Sequence, residues 1–200
     1  MSKNAYVYIL LLCMWFVTSS AQAGGVPIKE YEVKAGFIYR ITTFVEWPDE
    51  NESSSELIIG IIGKDPFGDI FDPIRNKSTL NKQIIIRLFQ GLVELKNKDN
   101  KGEPVIHPDL EEIQKCHVLF ICPSEQNEYK SILNMVQDSN ILTIGDRTGF
   151  LEAGGILNFL MEDNKIQFEI NMIAAKQANL KIRSKLLRIA RRVIDQENED

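Results

Sequence analysis

Few residues in this 200-residue chain have the types and spacing that chemistry requires. Gly60, Gly63 and Gly68 follow a G-x-x-G-x-x-x-x-G spacing, which matches neither the dinucleotide fingerprint nor the phosphate loop that ends in lysine and a hydroxyl residue. His107 and His117 have no second histidine or cysteine at metal-ligand spacing. Asp65, Asp69 and Asp72 would gather on one helical turn, where a hard cation could sit. They lack the ordered oxygen donors of a calcium loop, and solvated helix carboxylates are far commoner. There is no G-x-S-x-G elbow, and Ser124 has no evident base. These residues predict no catalytic set, no metal and no cofactor.

One constellation follows from chain order rather than from a motif. In an open parallel sheet the loops after the strands gather at the carboxyl edge, where ligands bind. That rule would bring Lys64, Asp65 and Phe67 together with Ser124, Glu125, Asp146, Arg147 and Phe150. Aromatic rings beside opposed charges would suit a small ligand or a protein anchor.

The elements that must position these residues begin with Tyr31 to Pro48, YEVKAGFIYRITTFVEWP. Val33, Phe37, Ile38, Ile41, Phe44 and Val45 recur at helical spacing, with Glu32, Arg40 and Thr43 opposite, so the spacing predicts a helix with one apolar face. Pro48 would end it by forcing Trp47 out of helical geometry, and Glu30 stands four residues before Lys34, the favourable order for a helical ion pair. Packing against a sheet is the ordinary use of such a face; presenting it to a partner or a membrane is the other.

ELIIGIIG at 56–63 is a continuous apolar run, the pattern of a strand buried on both faces. Asp65 as a cap and Pro66 at a first helical position then predict a short helix through Ile74. Strands are expected over Ile84–Phe89, Cys116–Cys122 and Ile141–Gly145, a helical turn at Gly91–Leu95, and a helix from about Glu125 to Val136 capped by Ser124. Asn97–Asp109, polar and holding Gly102, Pro104 and Pro108, reads as a surface loop. Ile156–Met161 and Lys165–Asn171, separated by Glu162-Asp163-Asn164, predict an antiparallel hairpin at the sheet edge. A short helix over Ile173–Ala178 follows. The last helix would be capped by Ser184, with Leu186, Leu187, Ala190, Val193 and Ile194 as its apolar stripe. Together these give an α/β domain: a central, roughly six-stranded mixed sheet with helices on both faces and a C-terminal antiparallel hairpin and helix.

Residues 1–23 read as a secretory signal peptide: Lys3, the apolar run Ala5–Val17, then Ala21-Gln22-Ala23 as a cleavage site. The run is shorter than the about twenty residues a bilayer needs. A single domain over 24–195 is expected, with 196–200 as a fraying tail and the periplasm as its place. The formal charge of -5 is spread along the chain, which argues against a nucleic-acid partner. Cys116 and Cys122, on one extended strand, would lie about 20 Å apart on one face. A disulfide needs about 7 Å or less between Cα atoms, so no bridge between them is expected and buried free thiols are.

With these blocks laid out, the chain resembles the YfiR-like family of exported proteins. The pieces that carry the resemblance are YEVKAGFIYRITTFVEWP, IIGKDPFGD, CHVLFIC, ILTIGDRTGFLEAGGILNFLMEDNKIQFEIN and ANLKIRSKLLRIAR, from about Tyr31 to Val193. The resemblance implies a compact domain with a central sheet flanked by helices, and a periplasmic, non-enzymatic regulator. The best-known relative holds a membrane diguanylate cyclase inactive by binding its periplasmic part, and so keeps cyclic-di-GMP low. A homodimer is a separate expectation; the resemblance further implies an inner-membrane sensor, a cyclase or a kinase, as partner, with an outer-membrane lipoprotein as a further one. Redox control through cysteines belongs to the same picture. Cys116 matches a family cysteine, while this chain lacks the partner that closes a disulfide there. The 97–109 stretch is longer than the family usually has. A small-molecule carrier or sensor using the strand-end loops is the alternative.

Overall fold

The computed structural model describes residues 28–48, 55–73, 78–79, 82–98 and 106–196. The proposed leader, Ile74 and the end of the tail lie outside the described residues, as does most of the loop expected at 97–109.

The architecture grows from strands that are apolar on both sides. Strand β2 (Glu56–Ile62) is buried from Leu57 onward. It pairs in parallel with β4 (Lys82–Phe89) on one side and with β5 (Val118–Ile121) on the other. Parallel pairing continues to β6 (Leu142–Gly145) and β7 (Leu157–Glu162), and β8 (Lys165–Asn171) returns antiparallel as the hairpin. Asp163 and Asn164 turn that hairpin at φ of 49° and 58°, conformations that short polar side chains tolerate. Among the described residues the sheet has eight strands, and with the short β3 (Ser78–Thr79) and β10 (Arg192–Ile194) their order is β10-β8-β7-β6-β5-β2-β4-β3. Its middle six are those expected, and β3 and β10 add short edges. The hairpin is therefore not the outermost element.

Helices cover both faces. On one, Ile59, Ile61, Phe120, Ile144 and Phe159 pack with Ala35, Ile38 and Ile41 of α1 (Ile28–Ile41), with α5 (Met172–Gln177) and with α6 (Ser184–Leu187). On the other, Ile58, Ile62, Leu119 and Ile121 meet α2 (Leu92–Lys98), α3 (Leu110–Gln114) and α4 (Tyr129–Met135). Cys122 belongs to the first face and Cys116 to the second, so the two free thiols share no face, because Cys116 precedes the regular strand.

Five further expectations are corrected. The first helix stops at Ile41. A 3₁₀ turn at Thr42–Phe44 follows, and β1 (Val45–Glu46) then pairs antiparallel with β9 (Lys181–Ile182). A backbone partner for Val45 and Glu46 outweighed the helical pattern. The buried face is turned as well: Tyr31, Lys34, Ala35, Ile38 and Ile41 are inside, whereas Val33 is 41% exposed. The helix after Asp65 is only the 3₁₀ turn Gly68–Phe71, and Ser124 does not cap the following helix, which starts as a 3₁₀ segment at Pro123. The expected last helix is one turn, α6, and its Val193 and Ile194 belong to β10. The Arg191 amide donates to Phe168 O at 2.9 Å. The Arg191 and Arg192 guanidiniums grip Glu162, Glu169 and Glu152, so the sheet edge took a segment whose spacing also suited a helix.

Candidate functional site

The order β4-β2-β5-β6-β7 places the first long strand, β2, inside the sheet, with the chain leaving to β4 on one side and later crossing to β5 on the other. Such a switch point opens a crevice beyond the carboxyl ends of the two strands. Here the crevice is built by Gly63–Gly68 after β2 and Pro123–Ser124 after β5.

Gly63 has φ +104°, and a Cβ there would lie 2.6 Å from Ser124 Oγ and 2.8 Å from Glu125 Cγ, so only glycine lets the two loops approach. The Lys64 amide donates to Ser124 Oγ at 2.9 Å, and that hydroxyl donates to Glu125 Oε1 at 3.0 Å. Ser124 thus ties the loops together, and its hydroxyl is committed as both acceptor and donor. Asp65 accepts the amides of Phe67 and Gly68 at 2.8 and 3.2 Å, shaping the turn that carries Phe67 inward. Phe67 packs edge-on against Tyr31 and Phe120 at 5.2 and 4.9 Å.

The result is a cleft of about 1100 Å³. Phe67, Pro66, Ile70, Pro73 and Pro123 line it with apolar surface, and Tyr31, Glu32, Lys64, Asp69, Ser124 and Arg147 supply the polar groups. Behind it lies a buried charge pair. Lys34 Nζ is 2.7 Å from Asp146 Oδ2, which also accepts Tyr31 OH at 2.9 Å, and Glu30 reaches the same ammonium at 2.6 Å. The anticipated Glu30 to Lys34 pair is therefore one limb of a larger network. Burial, and then the Asp146 charge, push the Tyr31 hydroxyl far above its ordinary value, so it stays a donor.

Of the residues expected to meet, Lys64, Asp65, Phe67, Ser124 and Arg147 line this one cleft. Asp146 sits beneath, bound to α1. Two are elsewhere. Glu125 is 2% exposed and its Oε2 accepts the Val93 amide at 3.0 Å, closing the first turn of α2. Phe150 has no exposure and packs on Tyr129, against the backbone of Gly145 and Gly155 on the second face. Sequence reasoning missed Tyr31 and Glu32, because α1 reaches the strand ends only through its packing across the sheet. The available signal was Lys34, a cation at a helical position shared with Tyr31, Ala35, Ile38 and Ile41.

The histidines serve the scaffold: His107 bonds Gln90 O and the Asp109 amide, and His117 Nδ1 accepts the Ile58 amide at 3.1 Å. Among the described residues no three of His, Cys, Asp or Glu are placed to hold a metal ion, and no helix is long and apolar enough to cross a membrane. The cleft presents an apolar floor with charges of both signs.

A family model described as YfiR/HmsC-like matches residues 31–191. The chain belongs to that family. The YfiR/HmsC-like family is in general one of periplasmic regulators rather than enzymes. No curated protein matches the chain. Among solved structures it is similar to a conserved domain protein from Vibrio cholerae, with TM-score 0.51 and 13% identity over 84% of this chain. It is also similar to an ABC domain in complex with L-Trp from Streptococcus pneumoniae, with TM-score 0.54 and 11% identity over 82% of this chain. At such identities the likeness is one of fold. The chain spans 60% of the length of each.

Proposed function

We propose that this YfiR/HmsC-like chain is a non-enzymatic periplasmic regulator that binds the sensor part of an inner-membrane signalling protein, a diguanylate cyclase or a histidine kinase, and lowers its activity. The observation that carries the reading is the family match across nearly the whole folded domain. The Ser124 hydroxyl, the His107 and His117 imidazoles and the Asp65 and Glu125 carboxylates hold loops and backbone, which supports a scaffold role for these groups. An outer-membrane lipoprotein that draws the regulator away, and a homodimer, belong to the same proposal. Crosslinking in the periplasm followed by purification is expected to recover a membrane cyclase or kinase. Recovery of neither, with deletion leaving second-messenger levels and surface attachment unchanged, would sink it.

A second reading, a small-molecule sensor or carrier, is favoured by the switch-point cleft itself, because crevices at this position of doubly wound sheets are where ligands lodge.

A further inference from the structure

Several surface cations away from the cleft are paired, Arg87 with Glu112, Lys96 with Glu128, Arg183 with Glu46, Arg191 with Glu162 and Arg192 with Glu169, while others such as Lys130, Lys165 and Arg188 make no ion pair among the described residues. In the cleft, exposed Lys64 and Arg147 share one cavity with exposed Glu32 and Asp69, yet none of the four makes an ion pair among the described residues. Asp65, the remaining acid there, is occupied by the Phe67 and Gly68 amides. Two positive and two negative groups around one apolar-lined cleft suit a ligand that carries both charges on an apolar body.

Size narrows the class. About 1100 Å³ lies at the top of the range that takes drug-sized ligands, roughly 300–1000 Å³, and a single free amino acid would leave most of it unfilled. We propose that the cleft binds short peptides with both ends free: the carboxylate toward Lys64 and Arg147, the ammonium toward Glu32 and Asp69, and an apolar side chain on Phe67 and the prolines. Charge-assisted hydrogen bonds at both ends would select for length and for free termini. The proposal rests on the small-molecule reading of the cleft and does not need the membrane partner.

Calorimetry with the mature chain tests it, using leucyl-phenylalanine, its N-acetyl form, its C-terminal amide and free phenylalanine as probes. The free dipeptide is expected to bind at least tenfold more tightly than each blocked form and than phenylalanine, a difference of about 1.4 kcal/mol. In Lys64→Gln/Arg147→Gln the amide should bind as well as the free acid, and in Glu32→Gln/Asp69→Asn the acetyl form should bind as well as the free amine. All four positions are exposed, so the variants should melt with the parent. Equal binding of all four probes overturns the zwitterion proposal and leaves a small-molecule cleft standing. No binding and no shift in melting with any probe overturns both. Loss of sensor capture by Lys64→Gln/Arg147→Gln without peptide binding by the parent also overturns it and assigns the cleft to the partner protein.

Discussion

Lys34 Nζ and Asp146 Oδ2 meet at 2.7 Å across 112 positions of sequence, and their side chains are only 4% and 1% exposed. This contact joins the helix that covers the first face to the loop that carries Arg147. Removing one member of a buried pair leaves an uncompensated charge, which costs about 3–5 kcal/mol. Lys34→Met, which leaves buried Asp146 with only the Tyr31 hydroxyl as its described side-chain partner, should therefore lose about 3 kcal/mol or more in urea unfolding. Lys34→Met/Asp146→Leu should recover most of that. A single variant within ~0.5 kcal/mol of the parent, the scale of an exposed pair, would show that the network contributes nothing.

Gly60 lies in β2 where a Cβ would come within 2.8 Å of Cys116 Sγ, 2.9 Å of the Phe89 ring and 3.0 Å of Leu119. Overpacking of this kind costs about 1–3 kcal/mol. Gly60→Ala should lower stability by that amount, read as a drop in the urea midpoint at unchanged slope. An equal or higher midpoint would mean that the second face is loosely packed.

Two residues first grouped with the surface site should behave as scaffold. Phe150→Ala empties a fully buried ring position and should cost about 3–5 kcal/mol. Glu125→Ala strands the Val93 amide and should cost about 1–3 kcal/mol. In both, the fraction that remains folded should capture partner or peptide normally. Selective loss of binding at full stability would return them to the site.

Burial pushes the Cys116 thiol up to about 12, against a model-compound value of 9.0, and holds Cys122 higher still. Neither thiol should react with a thiol reagent at pH 8 in the folded chain, and both should react in denaturant. The sign of the pH effect follows. Between about 9 and 12 the unfolded chain has released the Cys116 proton and the folded chain has not, so the unfolded state is favoured and the melting temperature should fall through that window. Rapid labelling at pH 8 without loss of structure would contradict the burial.

Periodicity alone marked the six central strands, because a run such as ELIIGII can satisfy its backbone and bury both faces in only a few ways. The order of those strands sufficed to bring Lys64, Phe67, Ser124 and Arg147 to one edge. Segments with two local solutions were not legible. Val45–Glu46 and Val193–Ile194 suit a helical stripe, yet each found a strand partner distant in sequence, Lys181–Ile182 for one and Ile170–Asn171 for the other. Local spacing contains no information about such pairings.

Sequence by itself determined the class of fold, the family and the loops that could meet at the strand ends, since these follow from apolar runs, turn residues and block order. Only tertiary structure decided that Tyr31 and Glu32 complete the cleft, that Asp146 faces Lys34 inside, and that Glu125 and Phe150 belong to the scaffold. The reason is physical: which way a side chain points beyond a strand end depends on what packs against the loop. Here that is an N-terminal helix more than a hundred residues away in sequence from the Arg147 loop.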